Sequence, residues 1–124
     1  MGYIETHGIK FHTRISNGHV EKLGSPKTDT NLNFVLQFDD PDILSQIINN
    51  LQLAINGDMD AIHDRDITAD NDIASISSSG VDFYDDKGQE IIETVPLQYI
   101  YDLAVAWRNY LLQPPLNGTV AAQV

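Results

Sequence analysis

Six aspartates and one arginine fall in the stretch Asp58-Met59-Asp60-Ala61-Ile62-His63-Asp64-Arg65-Asp66-Ile67-Thr68-Ala69-Asp70-Asn71-Asp72, giving it a net charge of −5. Asp64, Asp66, Thr68, Asp70 and Asp72 alternate along it, and closely spaced hard oxygens are what a calcium ion requires. The detailed pattern of a calcium loop is not met. Counting from Asp64, the sixth position needs glycine for a sharp turn and is Ala69; the twelfth needs a bidentate glutamate and is Ser75. Three readings of the segment stay open: a calcium site, a solvated acidic loop and an acidic docking surface.

Other candidate chemistry is dispersed. His7, His12, His19 and His63 form no zinc pattern, and without a thiolate a closed zinc site would need carboxylates gathered from afar. Ser75-Ile76-Ser77-Ser78-Ser79-Gly80 lacks the Gly-x-Ser-x-Gly elbow of an exposed nucleophile, and reads instead as a polar strand with a bulge. The pairs Asp39/Asp40 and Asp85/Asp86 could serve acid–base chemistry, but a helix cap and a turn already account for them. A glycine-rich phosphate loop is missing. No catalytic set, metal or cofactor is therefore assigned. Trp107 lies on a helical stripe and is expected in the core; exposure would make it a partner anchor instead.

The whole chain repeats the imbalance of its aspartate stretch: 124 residues carry 18 Asp+Glu against 7 Lys+Arg, a net charge of −11, with no cysteine. Nucleic-acid binders gain affinity by neutralising phosphates, so direct nucleic-acid binding is not expected, nor is docking on an anionic membrane. No apolar run approaches the roughly 20 residues of a membrane span. Met1-Gly2-Tyr3-Ile4-Glu5 lacks a basic region followed by an apolar stretch, so no secretory signal is read, and a reducing, cytoplasmic location is expected. Ile, Leu, Val and Phe number 36, enough for a self-sufficient core. What such a surface attracts is a basic protein.

These side chains must be positioned by a small set of elements. Ile9, Phe11 and Ile15 at odd positions, then Ser16-Asn17-Gly18-His19 and Val20 to Leu23, predict two strands around a tight turn. Leu32, Phe34, Leu36 and Phe38 alternate as in a strand. Asp39-Asp40-Pro41-Asp42 caps a helix whose Ile43, Leu44, Ile47, Ile48, Leu51, Ala54 and Ile55 form one stripe, with Gly57 as the stop. The aspartate stretch holds a short helical turn near Met59-Ile62 and is otherwise a loop. Ile73 to Tyr84 reads as extended with a bend at Ser77-Gly80, then Asp85-Asp86-Lys87-Gly88 turns into Gln89 to Val95, a second hairpin. Pro96 opens a last helix with Leu97, Ile100, Ala104, Trp107 and Leu111 on one face, ended by Pro114-Pro115. The expectation is one α+β domain over residues 1–114, a mostly antiparallel sheet covered on one face by two main helices in the order β-β-β-α-β-β-α. Residues 115–124 are expected to be a flexible tail.

From Ile73 onward the sequence of features resembles many small bacterial immunity proteins, the antidotes of contact-dependent growth inhibition and related polymorphic toxin systems. The residues that carry the likeness are the extended Ile73 to Tyr84, the turn Asp85-Asp86-Lys87-Gly88, the strand Gln89-Glu90-Ile91-Ile92, and Val95-Pro96-Leu97 leading into a helix with Trp107-x-x-x-Leu111. The resemblance covers about one third of the chain and implies a non-enzymatic inhibitor that occludes a toxin domain, often a basic nuclease. Such antidotes differ in fold and binding surface, so the likeness assigns no binding residue. Electrostatics does: Asp58, Asp60, Asp64, Asp66, Asp70 and Asp72 are the first candidates for partner contact, and Asp85 and Asp86 the second. The alternatives are an accessory or scaffold subunit of a bacterial complex, with a homodimer through a sheet edge as one form, and an enzyme or ligand-binding domain with a site assembled from dispersed residues.

Overall fold

In the computed structural model of the chain, residues 10–16, 18–25, 35–36, 38, 40–68 and 73–113 are described. Strands β1 (Lys10–Ser16) and β2 (His19–Ser25) form an antiparallel hairpin in which Ser16 faces His19. That register leaves a two-residue turn, and Gly18 takes the positive φ, 78°, that such a turn demands. On one side of the hairpin Thr13 lies opposite Lys22, with Phe11 and Val20 on the same face by the period of two. Of the strand expected over Leu32–Phe38, Val35, Leu36 and Phe38 are described. Val35 and Leu36 form a single 3-10 turn, closed by the Phe38 N–H on the Val35 carbonyl at 3.2 Å, which sends Val35 into the core.

Helix α1 (Pro41–Ile55) begins and ends where its sequence signals place it. The Asp40 carboxylate accepts the Asp42 N–H at 2.9 Å, and Pro41 occupies the first turn, where no intrahelical donor is needed. At the other end Gly57 has φ 85°, and Gly57 N–H to Ala54 O (3.1 Å) with Asp58 N–H to Leu53 O (2.8 Å) completes a Schellman closure. Leu44, Ile47, Leu51 and Ala54 are buried.

After a short 3-10 turn (Met59–Ala61), three strands form a second antiparallel sheet: β3 (Ala74–Ile76), β4 (Val81–Tyr84) and β5 (Ile91–Val95), in that spatial order. The bend expected in the long extended stretch is a full reversal, Ser77 to Gly80, so that stretch is two paired strands. Gly80 is required there. A Cβ on it would lie 2.4 Å from the Val95 carbonyl oxygen and 2.8 Å from the Thr94 methyl, and its φ is 155°. Ala74, Ile76, Val81, Phe83 and Val95 share one sheet face and join the core with α1 and with α2 (Leu97–Leu112).

The α+β plan of strands, helix, strands, helix thus holds, with the helices packed on each other and on one face of the three-stranded sheet. The β1–β2 hairpin forms its own sheet and packs on α2 instead. Phe11 meets Trp107 and Tyr110 at ring separations of 5.3 and 5.4 Å, and the Thr13 hydroxyl bonds the Tyr110 hydroxyl at 2.6 Å. Lys22, 5% exposed, donates to the carbonyls of Tyr110 and Gln113, supplying the cation that the last turn of α2 lacks. Burial draws its pKa below the ordinary lysine value. Trp107 is 1% exposed and donates its indole N–H to the Phe38 carbonyl at 2.7 Å, so it is a core residue. Among the described residues no helix is long and apolar enough to cross a membrane. The expected tail, 115–124, lies outside the described residues.

Candidate functional site

Four of the six loop aspartates are described, and all four are exposed: Asp58, Asp60, Asp64 and Asp66. Asp70 and Asp72 lie outside the described residues. The loop is tied down by its own polar groups. The Asp64 carboxylate accepts the Asp66 N–H at 3.0 Å, and the Asp66 carboxylate accepts the Thr68 N–H at 2.8 Å, two successive Asx turns. Ile62, before these turns, and Ile67, inside the second, both reach the core. The Thr68 hydroxyl and backbone N–H hold the Asp66 carboxyl below its usual pKa.

The same loop closes one edge of the three-stranded sheet. Ile67 N–H reaches the Ala74 carbonyl at 2.9 Å, Ile76 N–H reaches the Arg65 carbonyl at 2.8 Å, and Asp66 bridges Ser75. Arg65, the cation inside the segment, turns a guanidinium N–H to the Met59 carbonyl at 3.2 Å. None of the four carboxylates forms an ion pair among the described residues. Asn50 of α1 donates to the Asp64 carbonyl at 3.4 Å, and between helix and loop lies an open cleft of about 200 Å³. Its walls are Ile43, Gln46 and Asn50 on one side and Asp64, Asp66 and Thr68 on the other. Ile43 is a partly exposed apolar side chain beside carboxylates, an arrangement suited to the aliphatic stem and charged head of a lysine or arginine.

The second pair of candidates stands apart: its turn lies at the Ile73 end of β3, whereas residues 67 to 65 run antiparallel to β3 toward its Ile76 end and carry Asp64 that way. Asp85 accepts the N–H groups of Gln89 (2.9 Å) and Glu90 (3.4 Å), and Asp86 is exposed. Donation from the Gln89 backbone, foremost, pulls the Asp85 carboxyl below its ordinary value. Tyr84 N–H bonds the Ile73 carbonyl at 2.9 Å, and Gly88 approaches the Ile73 side chain, so this turn sits where the aspartate stretch enters β3. Asp64, Asp66 and Asp85 therefore each hold backbone in place as well as presenting charge. Among the described residues, no three histidine or acidic side chains converge on a point that could hold a metal ion.

Sequence reasoning overlooked one exposed feature. Ile91 and Ile92 of β5 are 53% and 61% exposed. Adjacent strand residues point to opposite faces, so two neighbouring isoleucines beside Glu90, Glu93 and Thr94 already signal an apolar residue on the solvent side. No protein-family model, no curated protein and no solved structure matches the chain.

Proposed function

We propose that the protein is an acidic protein-binding module that recognises a basic protein, and that this partner is a toxin domain which it neutralises in the cytoplasm by covering the toxin's active or substrate-binding surface. The observation that carries the reading is the aspartate loop: Asp58, Asp60, Asp64 and Asp66 are exposed, without ion pairs among the described residues, and held on an ordered backbone beside a cleft. A surface preset in this way loses little conformational entropy on binding, and a net charge of −11 steers a cationic partner toward it from a distance. The resemblance over residues 73–113 supports the antidote role, and a basic nuclease is the toxin class that suits the charge best.

The test pairs the protein with the product of the gene immediately upstream of its own, the place where an antidote's toxin is expected. Co-expression should relieve growth arrest, and the purified proteins should associate with a rate constant that falls steeply with salt. Asp58→Ala together with Asp60→Ala, which spares both Asx turns, should slow association by about threefold to tenfold and leave dissociation nearly unchanged. An unrelieved arrest sinks the antidote reading; an association rate indifferent to salt and to both substitutions sinks the acidic surface.

A further inference from the structure

The two edges of the three-stranded sheet differ. The β3 edge is paired with residues 65–67 of the same chain, whereas β5 is the last strand of the sheet among the described residues and carries Ile91 and Ile92 at 53% and 61% exposure. Edge strands of monomeric proteins are ordinarily blunted by inward charges, prolines or bulges that discourage pairing with another chain. β5 carries such devices, a bulge at which one step of β4 from Phe83 to Tyr84 faces two steps of β5 from Glu93 to Ile91, and two glutamates, yet it leaves Ile91 and Ile92 exposed. Glu90 and Glu93 flank them, and Asp86 stands in the preceding turn.

Charge selects the occupant. In a twofold pairing of β5 with a second copy, the register that stacks the isoleucines also sets Glu90 of each chain against Glu93 of the other. Like charges directly opposite are destabilising, and the assembly would join two chains of −11 each. A strand bearing lysine or arginine opposite these glutamates, with apolar residues beside Ile91 and Ile92, reverses the sign of every one of those terms. We infer that the outer edge of β5 is the docking site for an extended cationic strand of a partner protein, which adds to the sheet beside Ile91 and Ile92. The inference rests on the acidic-module reading and names the surface through which that module takes hold: main-chain hydrogen bonds supply affinity, and the alternating side chains supply selectivity.

The probe is a synthetic octapeptide alternating lysine and valine, titrated into the full chain while backbone amide resonances are followed. Its counterparts are a glutamate–valine peptide and a lysine–valine peptide N-methylated at alternate residues, which keeps the charge but removes the hydrogen bonds of one edge. The expected result is binding of the first peptide with shifts centred on residues 90–94, no binding of the glutamate peptide, and weakening of about tenfold or more on N-methylation. Ile92→Ser should weaken the first peptide similarly at an unchanged melting temperature. Equal affinity for the methylated peptide, or shifts confined to residues 58–68, overturns the β5 site and leaves the acidic-module reading standing. Failure of the cationic peptide to bind anywhere overturns both. A dimer in sedimentation of the free protein, with β5 amides protected, assigns the edge to a second copy and overturns the inference.

Discussion

The β3 and β5 edges belong to one small sheet and have opposite fates. At β3 the aspartate stretch folds back, pairs its backbone with Ala74 and Ile76, and plugs the adjoining core with Ile67, 5% exposed. At β5 two isoleucines remain in water. The contrast shows that the most acidic segment of the chain serves the fold, because the carboxylates that turn the backbone at Asp64 and Asp66 bracket the entry of Ile67 into the core. The charge left over faces outward because the turn geometry points it there. Exposed charge and edge protection are thus combined in one loop, while no strand covers the opposite edge among the described residues.

The largest effect should separate the two edges directly. Ile67→Ala removes a buried side chain that the loop exists to insert and should cost about 2–4 kcal/mol in urea unfolding. Ile92→Ala, on the open edge, should change stability by no more than about 0.5 kcal/mol. Similar losses for the two would mean that β5 is covered in solution, and the contrast would collapse. Gly80→Ala comes next and probes the seam between β4 and β5. The new Cβ would meet the Val95 carbonyl at 2.4 Å unless the strands part, so a loss of about 1–3 kcal/mol is expected, together with faster hydrogen exchange in β5. Stability equal to that of the parent chain would mean that β5 is held more loosely than its pairing with β4 indicates.

How much of this was legible depends on whether the governing interaction is local. Helix α1 could be read because the Asp40–Pro41 start, the three- and four-residue apolar spacing and the Gly57 stop are independent signals that agree. The β1–β2 turn was equally plain in Asn17-Gly18, whose glycine takes the positive φ. The reversal at Ser77–Gly80 read only as a bend, since serines suit strands and turns alike and the need for glycine comes from Val95, distant in sequence. Lys22 as the cap of α2 could not be foreseen, because the carbonyls it serves are brought to it by the docking of Phe11 on Trp107 and Tyr110. For the aspartates, charge and turn propensity were visible, but the pairing of residues 65–67 with β3 was not. The open edge was written in Ile91-Ile92, yet only the position of β5 at the end of the sheet gives that dipeptide its meaning.

The smallest effects should come from acid, and they distinguish the edges in a different way. Asp66 holds the turn that closes β3, Asp85 holds the turn that leads into β5, and both carboxyls sit below the ordinary value of 3.8 because backbone or hydroxyl donors favour their charged forms. A depressed folded-state pKa binds fewer protons in the native state than in the unfolded state. Its stabilisation is therefore complete above the unfolded value and is lost as pH falls through the folded one. Neither group is buried, so each contribution is screened and small beside that of Ile67. Asp66→Asn should flatten the decline of stability below pH 3.8 and accelerate exchange of the Ile67 amide, while leaving the β5 amides as they were. Asp85→Asn should flatten the same decline but loosen the Asp85–Glu90 hydrogen bond at the start of β5, leaving Ile67 protected. Amide exchange measured residue by residue in both variants checks this; a loss shared equally by both edges would mean that the sheet opens as one unit and that its two borders are not independent.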